Sequence, residues 1–289
     1  IQLDDLKRHR LLGEGNFGTV WLVTNTKSTK TKPYALKIQY FDANDEKAAD
    51  RIRKEISLMR KLHHPFVVKL INTYEEEDNI TMLLSLAPGG ELFDRIHYKL
   101  PNNLWDSGLG EEQGKFYCSI VADTLSFMHA RGYIYRDLKP ENILIGSDGY
   151  PLITDFGFTR LLKANEQAFT MCGTPNYLPP EIIKNDGHTS SADFWSFGVL
   201  LYEVVQGENP FFYEGLDQVS LFEAICTESW YPCASCSDDF DDLIQRLLEK
   251  NPAKRLGTFR EKDILAHSWF ADINIQELRM KRISAPWKP

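Results

Sequence analysis

Short apolar segments separated by turn residues dominate the first third of the chain, and this pattern is typical of β-strands. We predict strands over residues 10–12, 19–24, 34–38, 66–74 and 80–86. The charged segment 45–62 carries apolar residues at helical spacing, so we predict a helix there that ends before Pro65. Pro88-Gly89-Gly90 then interrupts the pattern, and we expect a hinge at this point.

Helical patterns dominate the remainder of the chain. We predict helices over residues 111–131, 191–206, 217–226, 238–248 and 262–267, and an inserted polar loop over 99–108. The order of these elements indicates an α+β fold with a small lobe of strands plus one helix and a large, mostly helical lobe. The length of 289 residues also favours two lobes over one.

Composition and charge narrow the possible function classes. The chain has 33 Lys and Arg against 41 Asp and Glu and no dense basic tract, so we expect basic partners rather than nucleic acid. Its longest strongly apolar stretch, residues 194–205, is too short to span a bilayer, so we expect no membrane segment. Five unevenly spaced cysteines fit reduced thiols, which indicates a cytoplasmic location; Cys233-x-x-Cys236 could begin a zinc site, but no second pair follows.

A glycine-rich segment, Gly13-Glu14-Gly15-Asn16-Phe17-Gly18, lies between the first two predicted strands. Dinucleotide-binding folds share this spacing, but there the last glycine opens a helix, whereas residues 19–24 are β-branched and apolar. The glycines would then form a hairpin turn whose backbone N–H groups can approach a phosphate. An ordinary glycine-rich hairpin is the alternative.

Glu55 lies in the middle of the apolar face of the predicted helix 45–62. An unpaired carboxylate in such a position is unfavourable, so it needs a cation, and Lys37 on the neighbouring strand is the candidate. The pair would hold Lys37 extended towards a phosphate. The alternative is a solvated glutamate on a helix that is merely amphipathic.

Charged and polar residues are concentrated in Tyr135-Arg136-Asp137-Leu138-Lys139-Pro140-Glu141-Asn142, between apolar segments. Asp155-Phe156-Gly157 follows shortly after a further predicted strand. Asn142 and Asp155 offer the hard oxygen ligands that Mg²⁺ prefers. A polar surface turn is the alternative, but such density between buried elements favours a functional site.

In this order, and together with Pro179-Pro180-Glu181, these segments resemble a protein kinase domain over nearly the whole chain. Tyr135 and the segments 171–178 and 251–257 are similar to the basophilic Ser/Thr kinases of the AGC group, and residues 155–158 and 187–195 most resemble its cyclic-AMP- and cyclic-GMP-dependent members. The resemblance implies the bilobal kinase fold, with an antiparallel sheet and one main helix in the small lobe. It also implies ATP and Mg²⁺ as cofactors, and transfer of the γ-phosphoryl group to Ser or Thr.

The resemblance also implies a role for each site residue. Asp137 would orient the substrate hydroxyl and accept its proton, Lys139 would steady the γ-phosphate, and Asn142 with Asp155 would hold Mg²⁺. Lys139 and Thr174 favour Ser/Thr over Tyr acceptors. The residues expected to contact or position ATP are Leu12, Gly13, Glu14, Gly15, Asn16, Phe17, Gly18, Val20, Ala35, Lys37, Glu55, Ser85, Ala87, Glu91, Leu144, Thr154 and Asp155, with Leu84 guarding the rear of the adenine pocket.

Three acids match positions that receive substrate arginines in the cyclic-nucleotide-dependent kinases: Glu91, Glu141 and Glu203. Glu203 lies within the apolar run 199–205, so it needs a partner or an opening to solvent. A substrate arginine could supply that partner, and an internal ion pair is the alternative. We expect a preference for Arg-x-x-Ser/Thr or Arg-Arg-x-Ser/Thr followed by an apolar residue.

Thr170 is the expected activation phosphosite, because Arg51, Arg136 and Arg160 match the basic positions that gather a phosphate there in related kinases. With no acid among them, these cations would repel one another until the phosphate arrives. Three separate surface arginines are the alternative. Two further expectations are structural: Asp193 should accept backbone N–H groups of the catalytic loop, and Glu181 should pair with Arg255.

We divide the chain into a small lobe with the Gly-rich loop and hinge (1–87), a large lobe (88–270) and the start of a truncated C-terminal tail (271–289). We expect a monomeric domain whose substrates are basic Ser/Thr proteins and whose regulatory subunit or domain lies outside this fragment. The main rival is a pseudokinase, a binding scaffold that normally lacks Lys37, Asp137 or Asp155; all three are present. A small-molecule kinase, the second rival, would lack the complete segment 170–181.

Overall fold

The computed structural model describes residues 1–15, 18–29, 32–42, 45–99, 105–163, 165–212, 215–232 and 235–289. The chain divides into two compact units, Ile1–Pro88 and Gly89–Pro289. The first contains an antiparallel sheet and one main helix, and the second is mostly helical, which confirms the predicted fold class. Residues 271–289, which the sequence predicts to begin a tail, belong to the second unit.

Five strands of the first unit form one antiparallel sheet in the order β1-β2-β3-β5-β4. Their bounds are β1 (Leu6–Gly15), β2 (Gly18–Asn25), β3 (Pro33–Tyr40), β4 (Leu70–Glu75) and β5 (Asn79–Ser85), and the helix α1 (Glu46–Met59) lies between β3 and β4 in the chain. The helix begins after Asp45, whose carboxylate accepts a hydrogen bond from the backbone N–H of Ala48.

The alternation of side chains along β3 divides the sheet into two faces. Leu36 and Ile38 belong to a buried apolar cluster on one face. Ala35 and Lys37 therefore lie on the opposite face, because successive side chains of a strand point to opposite sides. Val20 of β2 is the register partner of Lys37 and shares its face. Residues expected around the nucleotide are thus gathered on one face of the sheet.

The second unit is built around long buried helices. Its helices are α2 (Leu92–Ile96), α3 (Gly110–His129), α4 (Pro180–Ile183), α5 (Ser191–Gln206), α6 (Gln218–Thr227), α7 (Asp238–Leu247) and α8 (Ile275–Arg279). The central helix α5 packs against both α3 and α7. It ends at Gly207, which adopts a φ of 78° and packs so closely on Ser107 and Gly108 that a side chain would not fit. Across the described ranges, no helix combines the length and apolar character needed to cross a membrane.

Short antiparallel pairs of strands connect these helices. They are β6 (His97–Lys99) with β7 (Trp105–Ser107), β9 (Ile143–Ile145) with β10 (Pro151–Ile153), and β8 (Tyr133–Ile134) with β11 (Arg160–Leu161). β9 begins directly after Asn142 and β10 ends two residues before Asp155, so the β9–β10 hairpin connects these two residues.

Several predicted elements differ from the structure. The predicted helix 262–267 is a 3₁₀ turn over Glu261–Asp263 followed by further turns, since three apolar residues there do not sustain a helical period. The predicted strand 66–74 begins only at Leu70, because the buried residues 66–68 form a turn and an isolated bridge at Val67 and no continuous strand. The predicted polar loop 99–108 contains part of the β6–β7 hairpin.

Candidate active site

The turn between β1 and β2 leaves its backbone open. Gly15 is the register partner of Gly18, so the last glycine of the motif begins a strand, as predicted, and not a helix. A Cβ at Gly13 or Gly15 would meet no described atom within 4 Å, whereas a Cβ at Gly18 would lie 1.8 Å from the carbonyl oxygen of Ile38. Only glycine fits at position 18. Asn16 and Phe17, which the sequence predicts to contact ATP, lie outside the described residues.

Lys37 and Glu55 form the ion pair that the sequence predicts. Nζ of Lys37 lies 3.2 Å from Oε1 of Glu55, and the two side chains are 20% and 4% exposed. A carboxylate this deeply buried needs a compensating charge, which Lys37 supplies. The ammonium group is therefore held between β3 and α1 on the face of the sheet that also carries Val20 and Ala35.

The other residues of the first unit that are expected around adenine occupy neighbouring strands. Leu84 on β5 is buried and is the register partner of Ala35. The backbone N–H of Ser85 donates to the carbonyl oxygen of Lys69, so this N–H is already used within the first unit. Glu14 and Leu12 are exposed on β1, and Ala87 is half-buried after β5.

In the second unit, Asp193 fixes the segment that carries Asp137. Its Oδ2 accepts a hydrogen bond from the backbone N–H of Tyr135 and its Oδ1 accepts one from that of Arg136, both at 2.8 Å. Nε2 of His129 lies 2.6 Å from the same carboxylate. Arg136 has a φ of 70°, a left-handed conformation that needs such support. The predicted scaffold role of Asp193 agrees with these contacts.

Asp137 lies at the centre of a cluster of side chains. Its Oδ1 accepts a hydrogen bond from the hydroxyl of Thr174 at 3.1 Å, and its Oδ2 accepts one from Nδ2 of Asn142 at 2.8 Å. Nζ of Lys139 lies 3.5 Å from Oδ2 and donates to the hydroxyl of Thr174 at 2.9 Å. The structure thus brings together the three predicted catalytic residues Asp137, Lys139 and Asn142. It also shows that Thr174 contacts both Asp137 and Lys139.

Asn142 and Asp155 are joined through the backbone. The N–H of Thr154 donates to the carbonyl oxygen of Asn142 at 3.0 Å, and the carbonyl oxygen of Thr154 accepts a 2.5 Å hydrogen bond from the hydroxyl of Tyr135. The next residue, Asp155, is exposed and has a φ of 55°. Burial raises the pKa of the Tyr135 phenol well above its usual value, and the negative charges of Asp155, Asp137 and Asp193 raise it further. Three acids therefore surround this tyrosine.

Two of the acids predicted to bind substrate arginines lie close to each other. Burial raises the pKa of the Glu91 carboxyl, and the nearby charges of Asp94 and Glu141 raise it further. Oε2 of Glu141 is buried and has no hydrogen-bond partner among the residues that the structure describes. The backbone of Glu91 also forms an isolated antiparallel β-bridge with that of Leu144, a half-buried residue on β9. The two carboxylates thus lie close together, and the charge of Lys139 offsets part of the rise in the pKa of Glu91.

Glu203, the third of these acids, has internal partners. It is buried on α5, its Oε2 accepts a short hydrogen bond from the hydroxyl of Tyr177, and its Oε1 lies 2.9 Å from Nε2 of His97. A phenol and an imidazole thus satisfy this carboxylate within the second unit, which is close to the alternative that the sequence left open, and a role of Glu203 in binding a substrate arginine stays a prediction. Burial raises the pKa of the Tyr177 phenol, and the charges of Glu203 and Glu141 raise it further, so Glu141 lies near this pair.

The activation segment does not match the expectation of three unpaired arginines. Nη2 of Arg160 lies 2.7 Å from Oε1 of Glu166, an acid of the same segment. The prediction that no acid accompanies these cations is therefore wrong for Arg160. Arg136 donates through Nε to the carbonyl oxygen of Phe158, and its Nη1 has no partner among the described residues. Thr170 is exposed, and Arg51 lies on α1 of the first unit.

Glu181 and Arg255 form the predicted ion pair. Nη1 and Nη2 of Arg255 lie 2.6 and 2.9 Å from the two carboxylate oxygens of Glu181. The guanidinium also donates to the backbone carbonyl oxygens of Glu249 and Ser191, and it stacks 5.2 Å from the centre of the Trp195 ring. This arrangement ties α4 to α5 and to the segment that follows α7.

Sequence reasoning missed three contacts of the site: Thr174 to Asp137, Tyr177 to Glu203, and His97 to Glu203. For Glu203, the signal was an acid in an apolar run, which indicates a partner without identifying it. Among the described residues, no three His, Cys, Asp or Glu side chains converge on a possible metal position. Cys233 of the Cys233-x-x-Cys236 pair lies outside those residues.

Comparisons with known proteins agree with this geometry. A family model described as "Protein kinase domain" matches residues 6–270. The chain is 33% identical to the cAMP-dependent protein kinase catalytic subunit of Dictyostelium discoideum over 100% of this chain and 43% of that protein. It is 34% identical to ribosomal protein S6 kinase alpha-3 of Homo sapiens over 97% of this chain and 37% of that protein. It is also 34% identical to cGMP-dependent protein kinase 2 of Mus musculus over 95% of this chain and 35% of that protein. The chain thus spans roughly a third to three fifths of the length of such relatives.

Proposed function

The chain belongs to the protein kinase family, in the AGC group of Ser/Thr kinases, and from this membership we propose that it transfers the γ-phosphoryl group of ATP to Ser or Thr hydroxyls in basic peptide sequences. The observation that carries the proposal is the Asp137 carboxylate, which Thr174 and Asn142 hold in one orientation on a loop anchored by Asp193. A pseudokinase is the alternative.

Asp137 acts as the proton acceptor in this proposal. The substrate hydroxyl donates a hydrogen bond to its carboxylate, the hydroxyl oxygen attacks the γ-phosphorus, and the bond to the bridging oxygen of the departing ADP breaks. The hydroxyl proton passes to Asp137. Lys139, with its Nζ 3.5 Å from Oδ2 of Asp137, neutralises negative charge on the transferred group. Catalysis by these residues consists of placement and charge compensation.

The donor set of Asn142 and Asp155 fits Mg²⁺. The amide nitrogen of Asn142 is used by Asp137, so its Oδ1 is the atom available to a metal, and Asp155 supplies a carboxylate. Carboxylate and amide oxygens are the ligands that this hard cation prefers. When bound, Mg²⁺ neutralises the charge of the phosphate oxygens.

The nucleotide-binding roles of the first unit are also part of the proposal. Lys37, held by Glu55, contacts the α- and β-phosphates, and the open backbone at Gly13 and Gly15 admits phosphate oxygens. Ala35 and Val20 share a sheet face with Lys37 and provide apolar contacts for adenine. These assignments are supported by the shared face and by the ion pair.

A phosphotransfer assay tests the catalytic assignment. With Mg-ATP and an Arg-Arg-x-Ser peptide, we expect wild-type turnover on the Ser peptide and none on its Ala counterpart. Asp137→Asn should lower kcat by about 10²–10⁴-fold, because it removes the proton acceptor, while ATP binding changes little. Asp50→Asn, a change on the exposed face of α1, is the matched control and should leave turnover unchanged. Absent wild-type transfer with intact ATP binding would favour the pseudokinase.

We further propose that Glu91 and Glu141 bind substrate arginines. The raised pKa of Glu91 and the unpartnered oxygen of Glu141 indicate acids whose mutual repulsion a guanidinium would relieve. Glu141→Gln should raise KM for an Arg-containing peptide by about 10–100-fold, since charge-assisted hydrogen bonds contribute about 1.5–3 kcal/mol. It should barely affect a peptide without Arg. Glu112→Gln, at an exposed acid on α3, is the control, and equal effects on both peptides would contradict the assignment.

We also propose that phosphorylation of Thr170 activates the kinase, although fewer contacts support this assignment. Arg136 has an unpartnered Nη1 in the described structure, whereas Arg160 would have to leave Glu166 to reach a phosphate. Four expectations stay predictions: that Arg51 is a third ligand of this phosphate, that the domain is monomeric, that it is cytoplasmic, and that a regulatory subunit or domain controls it. If Thr170→Ala leaves turnover unchanged, the assignment of Thr170 as the activating phosphosite is wrong.

A further inference from the structure

One serine near the end of the chain lies in a sequence of the type that this kinase is proposed to phosphorylate. The segment reads Lys281-Arg282-Ile283-Ser284-Ala285. Basic residues occupy the positions three and two before Ser284, and an apolar residue follows it. No other Ser or Thr in the sequence has basic residues at both preceding positions. Ser284 is therefore singled out by the same preference that Glu91 and Glu141 are proposed to create.

The structure leaves Ser284 accessible. It lies five residues after the end of α8, outside any helix or strand, and its side chain is exposed. Ser57 on α1 provides a contrast, because it has Lys54 three positions before it but Glu55 two positions before it, and it lies within a helix. An extended, exposed segment is the form in which a peptide can enter a protein-binding site.

The two basic residues before Ser284 each form one ion pair, and Nζ of Lys281 also lies 5.3 Å from the centre of the Tyr150 ring. Nζ of Lys281 lies 2.6 Å from Asp148, and Nη1 of Arg282 lies 3.3 Å from Glu277. The two basic side chains are 35% and 63% exposed. Ion pairs of this kind contribute little stability and exchange partners readily. Lys281 and Arg282 are thus available to acids on another protein molecule.

The residues on both sides of Ser284 are anchored to the second unit of their own chain. The carbonyl oxygen of Ile283 accepts a hydrogen bond from the hydroxyl of Tyr150, and Gly149 packs closely against Ala285 and Trp287. The anchors hold Ser284 against the β9–β10 turn of its own second unit. Transfer within one chain would therefore require these anchors to release Ser284 towards its own catalytic loop.

We propose that Ser284 is a phosphorylation site of this kinase itself, modified by a second copy of the chain. The inference rests on the proposed function. The hydroxyl oxygen of Ser284 forms a bond to the γ-phosphorus of ATP held by the other copy, the bond from that phosphorus to the bridging oxygen breaks, and ADP leaves. The hydroxyl proton passes to Asp137 of the acting copy.

The experiment uses the full chain after phosphatase treatment and removal of the phosphatase. Active chain is mixed with a tagged Asp137→Asn chain as acceptor, Mg-ATP is added, and phosphate on residues 281–289 is followed by mass spectrometry. We expect Ser284 of the tagged chain to be phosphorylated at a rate proportional to the concentration of active chain. Arg282→Gln in the acceptor should lower that rate at least about tenfold. Ser57→Ala in the acceptor is the matched control and should leave it unchanged.

An Arg-Arg-x-Ser peptide in the same reaction separates the two proposals. Peptide phosphorylation without phosphate on Ser284 would overturn the Ser284 assignment and leave the proposed function standing. Failure on both the peptide and Ser284 would overturn the proposed function and the inference with it. Phosphate on Ser284 of the active chain only, at a rate per molecule independent of concentration, would overturn transfer between copies.

Discussion

Replacement of Glu181 tests how far the buried ion pair with Arg255 stabilises the second unit. The two side chains are 3% and 0% exposed and are joined by two hydrogen bonds. Glu181→Gln keeps the shape of the side chain but leaves the guanidinium charge buried without a counter-charge. Removing one partner of a buried pair destabilises proteins by about 3–5 kcal/mol. For a unit of this size, that corresponds to a fall in melting temperature of roughly 6–20 °C.

The remaining contacts of Arg255 set the expectation for a double variant. Arg255→Met combined with Glu181→Leu removes both charges, which alone is often close to neutral. Here Arg255 also donates to the carbonyl oxygens of Glu249 and Ser191, and these acceptors would lose their donor. Each buried unsatisfied group costs about 1–3 kcal/mol. We therefore expect the double variant to recover only part of the stability lost in Glu181→Gln.

Urea denaturation followed by tryptophan fluorescence is the suitable assay, because Trp195 stacks on the Arg255 guanidinium. The single variants Glu181→Leu and Arg255→Met, measured beside their double variant, form a cycle that isolates the coupling energy of the pair. Lys54→Ala, which removes an exposed pair with Asp50 on α1, is the control and should leave the denaturation midpoint unchanged. If Glu181→Gln lowers the free energy of unfolding by less than about 1 kcal/mol, the argument that burial makes this pair indispensable is refuted.

Four further outcomes are expected. Asp193→Asn should lower kcat by about tenfold or more with little change in KM for ATP, because Tyr135 and Arg136 donate to different carboxylate oxygens and the amide NH2 that replaces one of them cannot accept. Steady-state kinetics, with hydrogen exchange at residues 135–137, will measure this. Tyr177→Phe should destabilise the second unit by about 1–3 kcal/mol, measured by thermal unfolding, because it removes a donor to the buried Glu203. The pKa of Glu91 is raised, so its carboxyl becomes neutral at a higher pH than that of an ordinary glutamate. The KM for an Arg-containing peptide should therefore rise as the pH falls into the weakly acidic range. Glu91→Gln should make this KM less dependent on pH. Gly18→Ala should weaken ATP binding, measured by calorimetry, because its Cβ would collide with the carbonyl oxygen of Ile38 and displace the turn.

Elements with a long, regular pattern were predictable from the sequence. The helix predicted over 191–206 has those bounds in the structure, because its apolar run is continuous and Gly207 provides a left-handed end. The pairing of Lys37 with Glu55 was predictable for a different reason. An acid in the apolar face of a helix needs a cation, and the neighbouring strand offers Lys37.

Contacts between distant segments were not predictable in the same way. The acid Glu203 signalled a need for a partner, but His97 is 106 residues away in the sequence and reaches it through the packing of the fold. The pairing of Arg160 with Glu166 joins the short strand β11 to the irregular segment after it, so no helical or strand period relates the two positions. Short helices such as α2 and α8 contain too few residues to show a period.

The partners of the buried acids in the second unit distinguish scaffold from binding site. Asp193 accepts from two backbone N–H groups and contacts His129, and Glu181 is fully paired with Arg255, so neither has capacity left for a ligand. Glu141 has a buried oxygen with no partner in the described structure. Buried polar groups left unsatisfied are unfavourable unless a ligand completes them. Of these four acids, Glu141 is thus the carboxylate with most to gain from a substrate guanidinium, and Glu203, with its phenol and imidazole, is closer to the scaffold.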